Sequence, residues 1–214
     1  MFAIDLDRYR LVDLSVTIEP PGTDDRPLQV SVGRLADDSF KMDISRLHTH
    51  VGTHVEAPAH FFEGGKLITD VPLEEFFGPA TLLSIDDPAE RQTTAAIFDR
   101  HLSGVFEPGD ILMCRNGIMQ SREPLKDFAT LTVDSARWIV EHDVKLLVLD
   151  RWFGLGRDIP EVRQVHDIIM GRGICIVETV VLDELTKPRC FYMSLPVAFA
   201  LDSGFTRAVT LEER

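Results

Sequence analysis

Residues 48–60 read HTHVGTHVEAPAH and hold four of the chain's seven histidines, together with Glu56 and Pro58. Imidazoles and carboxylates bind divalent cations, and an imidazole also moves protons near neutral pH. His50, His54, Glu56 and His60 all stand at even positions, so an extended strand would place them on one face. A straight strand advances roughly 6.6 Å per two residues, whereas ligands that each sit roughly 2.0–2.2 Å from one ion must converge far more closely. The segment must therefore bend. Gly52 and Pro58 stand between the polar positions, where a turn or bulge brings them together. With Thr53 and two valines they also disfavour a helix, which excludes the i, i+4 helical zinc motif. On the residues alone, His50, His54 and Glu56 read as metal ligands. His60 reads as either a further ligand or a proton carrier.

The second half offers two further residues. On a helix spanning 160–171, Val162, Val165, His166 and Ile169 share a face, so His166 points inward. Glu178 ends the apolar run ICIVE, where an unpaired carboxylate is costly. The two either satisfy one another in the core or face a metal. Other features point to structure. His101 and His142 lie near helix ends, and GLGRD and GRG read as turns, because Ile159 stands where a dinucleotide fingerprint has its third glycine. Trp152 and Phe153 read as packing residues, and Arg115 and Arg151 either bind a substrate carboxylate or form structural ion pairs.

These residues need elements to hold them. Runs rich in Val, Ile, Leu and Phe, bounded by Gly, Pro or Asp, predict strands at 11–18, 27–32, 40–48, 80–85, 110–115, 145–150, 174–178 and 189–195. Helical spacing marks 93–102, 132–142 and 160–171, the last opening on Pro160 and closing on glycines. A strand-dominated first half followed by alternating helix and strand predicts an α/β or α+β class, with a mixed sheet and helices packed on one side. No repeat or low-complexity linker divides the 214 residues, so 1–214 is expected to form a single domain.

Composition narrows the partners. With 44% hydrophobic and 27% charged residues the chain matches a folded globular protein. A formal net charge of −13, with no offsetting basic run, disfavours nucleic acid and anionic lipid and favours a small-molecule substrate. The start MFAIDLDRYR lacks a leader's apolar region and no stretch reaches a membrane span, so a cytoplasmic location is expected. Cys114, Cys175 and Cys190, odd in number and set in apolar runs, read as buried reduced thiols.

The segment HVGTHVEAPAH resembles the HxGTHxDxPxH signature of the cyclase family of metal-dependent hydrolases, which includes kynurenine formamidases and isatin hydrolases. LVDLSVTI, DILMCRNG, VHDIIMGRGICIVETVVLDEL and FYMSLPVAF are similar to the family's other characteristic stretches, so the resemblance covers nearly the whole chain. It implies a mixed, barrel-like α/β domain, commonly a homo-oligomer (dimer or tetramer). By the same resemblance His50, His54 and Glu56 are implied metal ligands and His60 the catalytic base. His166 and Glu178 are implied for a second metal or the outer shell.

The implied cofactor is one or two divalent ions, zinc or manganese, and the implied reaction is hydrolysis of an amide, formamide, lactam or lactone. The alternative is a member of the fold that binds metal or ligand without turnover; a lyase or isomerase is a second rival. Three positions depart from the family pattern: Glu56 replaces Asp, Thr179 replaces Asn, and DRWFGLGRDIPEVRQVH replaces an Asp-Thr-x-Ser-x-Asp stretch.

Overall fold

The computed structural model describes residues 6–118 and 128–214; Met1–Asp5, part of the start read above for a leader, lies outside them. In chain order the strands are β1 (Tyr9–Asp13), β2 (Leu28–Arg34), β3 (Phe40–Leu47), β4 (His54–Glu56), β5 (Phe77–Ile85), β6 (Gln92–Thr93) and β7 (Ile111–Asn116). They continue as β8 (Ala129–Leu131), β9 (Leu146–Asp150), β10 (Phe153–Gly154), β11 (Cys175–Val180), β12 (Arg189–Met193), β13 (Ser203–Phe205) and β14 (Val209–Glu213). The α-helices among the described residues are α1 (Ala95–Leu102), α2 (Val133–Glu141) and α3 (Ile159–Gly171).

Nine strands form one curled sheet in the order β1-β14-β12-β5-β7-β9-β11-β4-β13. The four central strands, β5, β7, β9 and β11, run parallel, and every pairing outside them is antiparallel. The class is mixed α/β. The central strands are apolar without alternation because both their faces are buried. Leu112, Cys114, Leu147, Leu149 and Ile176 point to one side, where they pack with Phe98 of α1, Ile139 of α2 and Val165 and Ile169 of α3. Ile111, Met113, Leu146, Val148 and Val177 point into the curl, onto Leu14, Val55, Phe76 and Tyr192.

The three expected helices are present, with shifted ends. Thr93 is drawn into the small β10-β8-β6 sheet and Thr94 becomes the cap residue, so α1 starts at Ala95. Helix α3 starts one residue before Pro160 because the Asp158 carboxylate accepts the Glu161 N–H at 2.9 Å. The strand expected over 11–18 ends at Asp13, and the chain then crosses the sheet, with Leu14 N–H bonded to Ala208 O. Strands β4, β6, β8, β10, β13 and β14 had no sequence expectation of their own.

The β2–β3 hairpin stands apart from the main sheet. Its register places Leu28 opposite Leu47, Val30 opposite Ile44, Val32 opposite Met42 and Arg34 opposite Phe40 on one face. Gln29/Arg46, Ser31/Asp43 and Gly33/Lys41 occupy the other. The outer end of the apolar face is bare, Phe40 being 67% and Met42 71% exposed, while Leu28 and Val30 at its base are half-buried.

Candidate metal centre

The histidine segment bends where the sequence requires it. Gly52 adopts φ +64°, and a Cβ there would lie 1.9 Å from Ile18 Cδ1, so any other residue is strained and must displace Ile18. Three extended residues follow as β4, inserted between β11 and β13, and Pro58–His60 form a 3₁₀ turn. Gly65 packs under that turn, and a Cβ on it would meet Ala59 N at 2.8 Å. Register does the rest. Glu178 lies opposite His54, and Ile176, on the helix-facing side, lies opposite Glu56. His54, Glu56 and Glu178 therefore project toward α3, from which the buried His166 approaches.

All six residues singled out in the sequence converge. Glu56 Oε1 lies 3.3 Å from His50 Nε2, 3.5 Å from His54 Nε2 and 3.8 Å from His60 Nε2. Its other oxygen is 3.8 Å from His166 Nε2, and Glu178 Oε2 is 3.8 Å from His54 Nε2. Two donor groups of metal-binding size share Glu56: His50/His54/Glu56 and Glu56/His166/Glu178. A third, His50/His60/Asp202, includes a residue the sequence did not single out.

The outward ring nitrogens are already engaged. His54 Nδ1 faces Gly52 O at 2.7 Å and His166 Nδ1 faces Val162 O at 2.7 Å. A carbonyl only accepts, so both rings carry a proton on Nδ1, and in the neutral ring Nε2 is the lone-pair nitrogen that faces the cluster. His50 Nδ1 contacts Thr49 Oγ1 at 2.8 Å, and Arg26 donates to His50 O at 2.9 Å. Phe61 stacks on the His166 ring at 3.9 Å. Buried and without a hydrogen-bond partner are His50 Nε2, His54 Nε2 and Glu56 Oε2. Orphaned buried polar atoms cost about 1–3 kcal/mol each, so three gathered in one cluster fit a site whose partner is a cation.

Electrostatics agree. Burial opposes ionisation of Glu56, yet the adjacent imidazoles of His50, His54 and His60 override it and hold the carboxyl well below the usual range. Burial and the Glu56 charge push the Glu178 carboxyl up to about 7. Desolvation lowers His54, but Glu56 and Glu178 outweigh it and the net shift is upward; for His166 burial prevails and the shift is downward. Two carboxylates crowded among imidazoles suit a cation better than they suit each other.

The other candidates are structural. The Arg115 guanidinium is committed to Ser84 Oγ at 3.0 Å and Leu185 O at 2.9 Å. Arg151 lies 3.8 Å from Asp183, and Phe153 belongs to the core. His101 pairs with Glu90 at 2.7 Å, and His142 stacks on Trp138. The three cysteines are free. Asp202, 3.0 Å from His60 Nδ1, went unnoticed because nothing in ALDSG marks it and only the β13–β4 pairing brings it close.

Imidazoles and carboxylates with inward-facing orphaned atoms, clamped between a curled mixed sheet and a helix, define a mixed α/β protein with a site suited to a divalent cation. The Cyclase family model matches residues 12–153, and the chain belongs to this family of metal-dependent hydrolases. A kynurenine formamidase from Bacillus cereus is 26% identical over 195 residues, spanning 86% of this chain and 88% of that protein. Among solved structures, isatin hydrolase A from Labrenzia aggregata, bound to benzyl benzoate, superposes with a TM-score of 0.78 at 17% identity, covering 97% of this chain and 95% of that one. A predicted metal-dependent hydrolase from Bacillus stearothermophilus gives 0.75 at 19%, covering 95% and 98%.

Proposed function

We propose that this protein is a metal-dependent hydrolase that cleaves a C–N bond of a small amide, formamide or lactam, with residues 1–214 acting as one domain. The observation that carries the reading is the convergence of the orphaned Nε2 atoms of His50 and His54 on the Glu56 carboxylate, 3.3 Å and 3.5 Å from Oε1, whose other oxygen is itself orphaned. His50, His54 and Glu56 would hold the first divalent ion; Glu56, shared with His166 and Glu178, supports a second. Mixed imidazole and carboxylate donors suit zinc or manganese.

A bound divalent cation supplies Lewis acidity and brings the pKa of water toward 7. The chain's own residues supply the rest. His60, whose side chain is partly exposed at the edge of the cluster, takes the proton from attacking water and returns it to the leaving nitrogen. Phe61 covers the His166 ring and limits water on that side. The names of the relatives favour N-formylkynurenine and isatin as first trial substrates. The test is metal analysis beside turnover of those two compounds and related lactams in oxygen-labelled water. Label incorporation into product supports hydrolysis; a metal-loaded protein that turns over none of them refutes it.

No described helix is long and apolar enough to cross a membrane. For the bare ribbon face we infer a second copy of this chain as the cover. An isolated two-stranded ribbon is marginal in water, and an apolar face of this kind marks an interface. Residues 28–47 carry Arg34, Lys41 and Arg46 against Asp37, Asp38 and Asp43, and are thus neutral in a chain of net charge −13. Two copies approach with least repulsion there. Sedimentation should show an oligomer that Met42→Asp dissociates; a monomeric wild type refutes it.

A further inference from the structure

We propose that Asp202 is the positioning residue for His60, fixing the tautomer and the direction of the imidazole whose other nitrogen faces the metal cluster. The proposal rests on the reading of His60 as the proton carrier and adds the group through which that role is set.

The cluster's histidines differ in what their outer nitrogen meets. His54 and His166 place Nδ1 against backbone carbonyls, and His50 places it against a hydroxyl. All three partners are neutral. Among the four, His60 alone turns Nδ1 to a carboxylate, Asp202 Oδ2, at 3.0 Å. A neutral acceptor orients a ring and selects its tautomer. A carboxylate also stabilises the imidazolium that forms when the ring takes a proton, which a ligand never does and a proton carrier must do each turnover.

The carboxylate is delivered by backbone geometry. Asp202 immediately precedes β13, whose Ser203 lies opposite Glu56 on β4. Its own carbonyl accepts the Ala57 N–H at 2.9 Å, and the preceding Leu201 carbonyl accepts the Ile68 N–H at 3.0 Å. These bonds anchor Asp202 on both sides of the turn that carries His60. Both side chains remain partly exposed, His60 by 28% and Asp202 by 37%, so solvent reaches the pair.

Isotope-labelled histidine in the metal-loaded protein reads the tautomer without substrate. The His60 proton should reside on Nδ1 in the wild type and spread over both ring nitrogens in Asp202→Ala, with metal content unchanged. In turnover, Asp202→Ala and Asp202→Asn should lower kcat about 10–100-fold with KM near wild type, and Asp202→Glu should recover part of the loss. The His60→Ala/Asp202→Ala double variant should be no slower than His60→Ala alone, because a residue acting through His60 has nothing left to act on. A proton distribution unchanged by Asp202→Ala overturns the proposal. Loss of metal from Asp202→Ala also overturns it, making Asp202 a ligand in the His50/His60/Asp202 group. Wild-type turnover in His60→Ala refutes instead the underlying reading of His60.

Discussion

The Thr53 hydroxyl donates to the Thr179 carbonyl at 2.6 Å, tying the residue before His54 to the residue after Glu178. The same oxygen accepts the Val16 N–H at 2.9 Å, so one side chain joins three segments beside the metal centre. Thr53→Val leaves the part-buried Val16 N–H unpaired and should cost about 1 kcal/mol in chemical denaturation. A loss below about 0.5 kcal/mol would show that these bonds are replaced by others.

Thr179 itself sits at φ +61°, a left-handed conformation that a β-branched residue tolerates poorly and asparagine tolerates well. This gives a physical reason for the asparagine that the family pattern places there. Thr179→Asn should raise stability by about 1 kcal/mol, read as a shifted urea midpoint with an unchanged slope. A lowered midpoint would mean that the side chain contributes more than the strain removes.

Glu56 is the carboxylate shared by two donor groups. Glu56→Gln keeps the shape, removes the charge and should weaken metal binding by more than about tenfold, whereas Glu56→Asp should retain binding. Calorimetric titration of the chelated protein checks both. Equal affinity in the wild type and Glu56→Gln would exclude Glu56 as a ligand.

Removing metal should destabilise the fold. A ligand that binds only the native state contributes roughly 2.7 kcal/mol at a hundredfold excess over its dissociation constant. Chelation should therefore lower Tm, and zinc or manganese should restore it. Identical melting curves after verified metal removal would contradict this.

Asp150, nearly fully buried at the end of β9, accepts the Trp152 N–H at 2.8 Å. Burial pushes its carboxyl up to about 6, with Asp183 adding to the rise and Arg151 opposing it. The folded protein therefore holds this proton more tightly than the unfolded chain, whose aspartates titrate near about 3.9. Stability at this residue is lowest above pH about 6 and recovers as pH falls toward about 4, a swing of about 3 kcal/mol. Asp150→Asn keeps an acceptor for Trp152, so it should be more stable than wild type at pH 8 and lose that advantage by pH 4. A difference between the two proteins that does not vary with pH would refute this.

The candidate site was largely legible because its chemistry is crowded into thirteen residues, and because Gly52 and Pro58 announced the bend. His166 and Glu178 were legible from helix periodicity and from a carboxylate ending an apolar strand. Asp202 was not, since its proximity depends on which strand β13 pairs with. Helix positions held to within about two residues, but β4 and β13, three residues each, are too short to show a period. The hairpin shows the converse. Its alternation reads the same whether the apolar face is covered or bare, so sequence gave the strands without their exposure.

The insertion of β4 between β11 and β13 also sets the order of events during synthesis. A ribosome that has delivered His60 has not yet made either neighbour of that strand. At roughly 5–20 residues per second, the histidines wait about seven to thirty seconds for residue 205. Until then four imidazoles sit in an unfolded segment, too loosely arranged to discriminate among cations. On the proposed reading, choice of metal thus falls after β13 has been made, when the closing strand locks the ligands and the ions then available compete for the finished site.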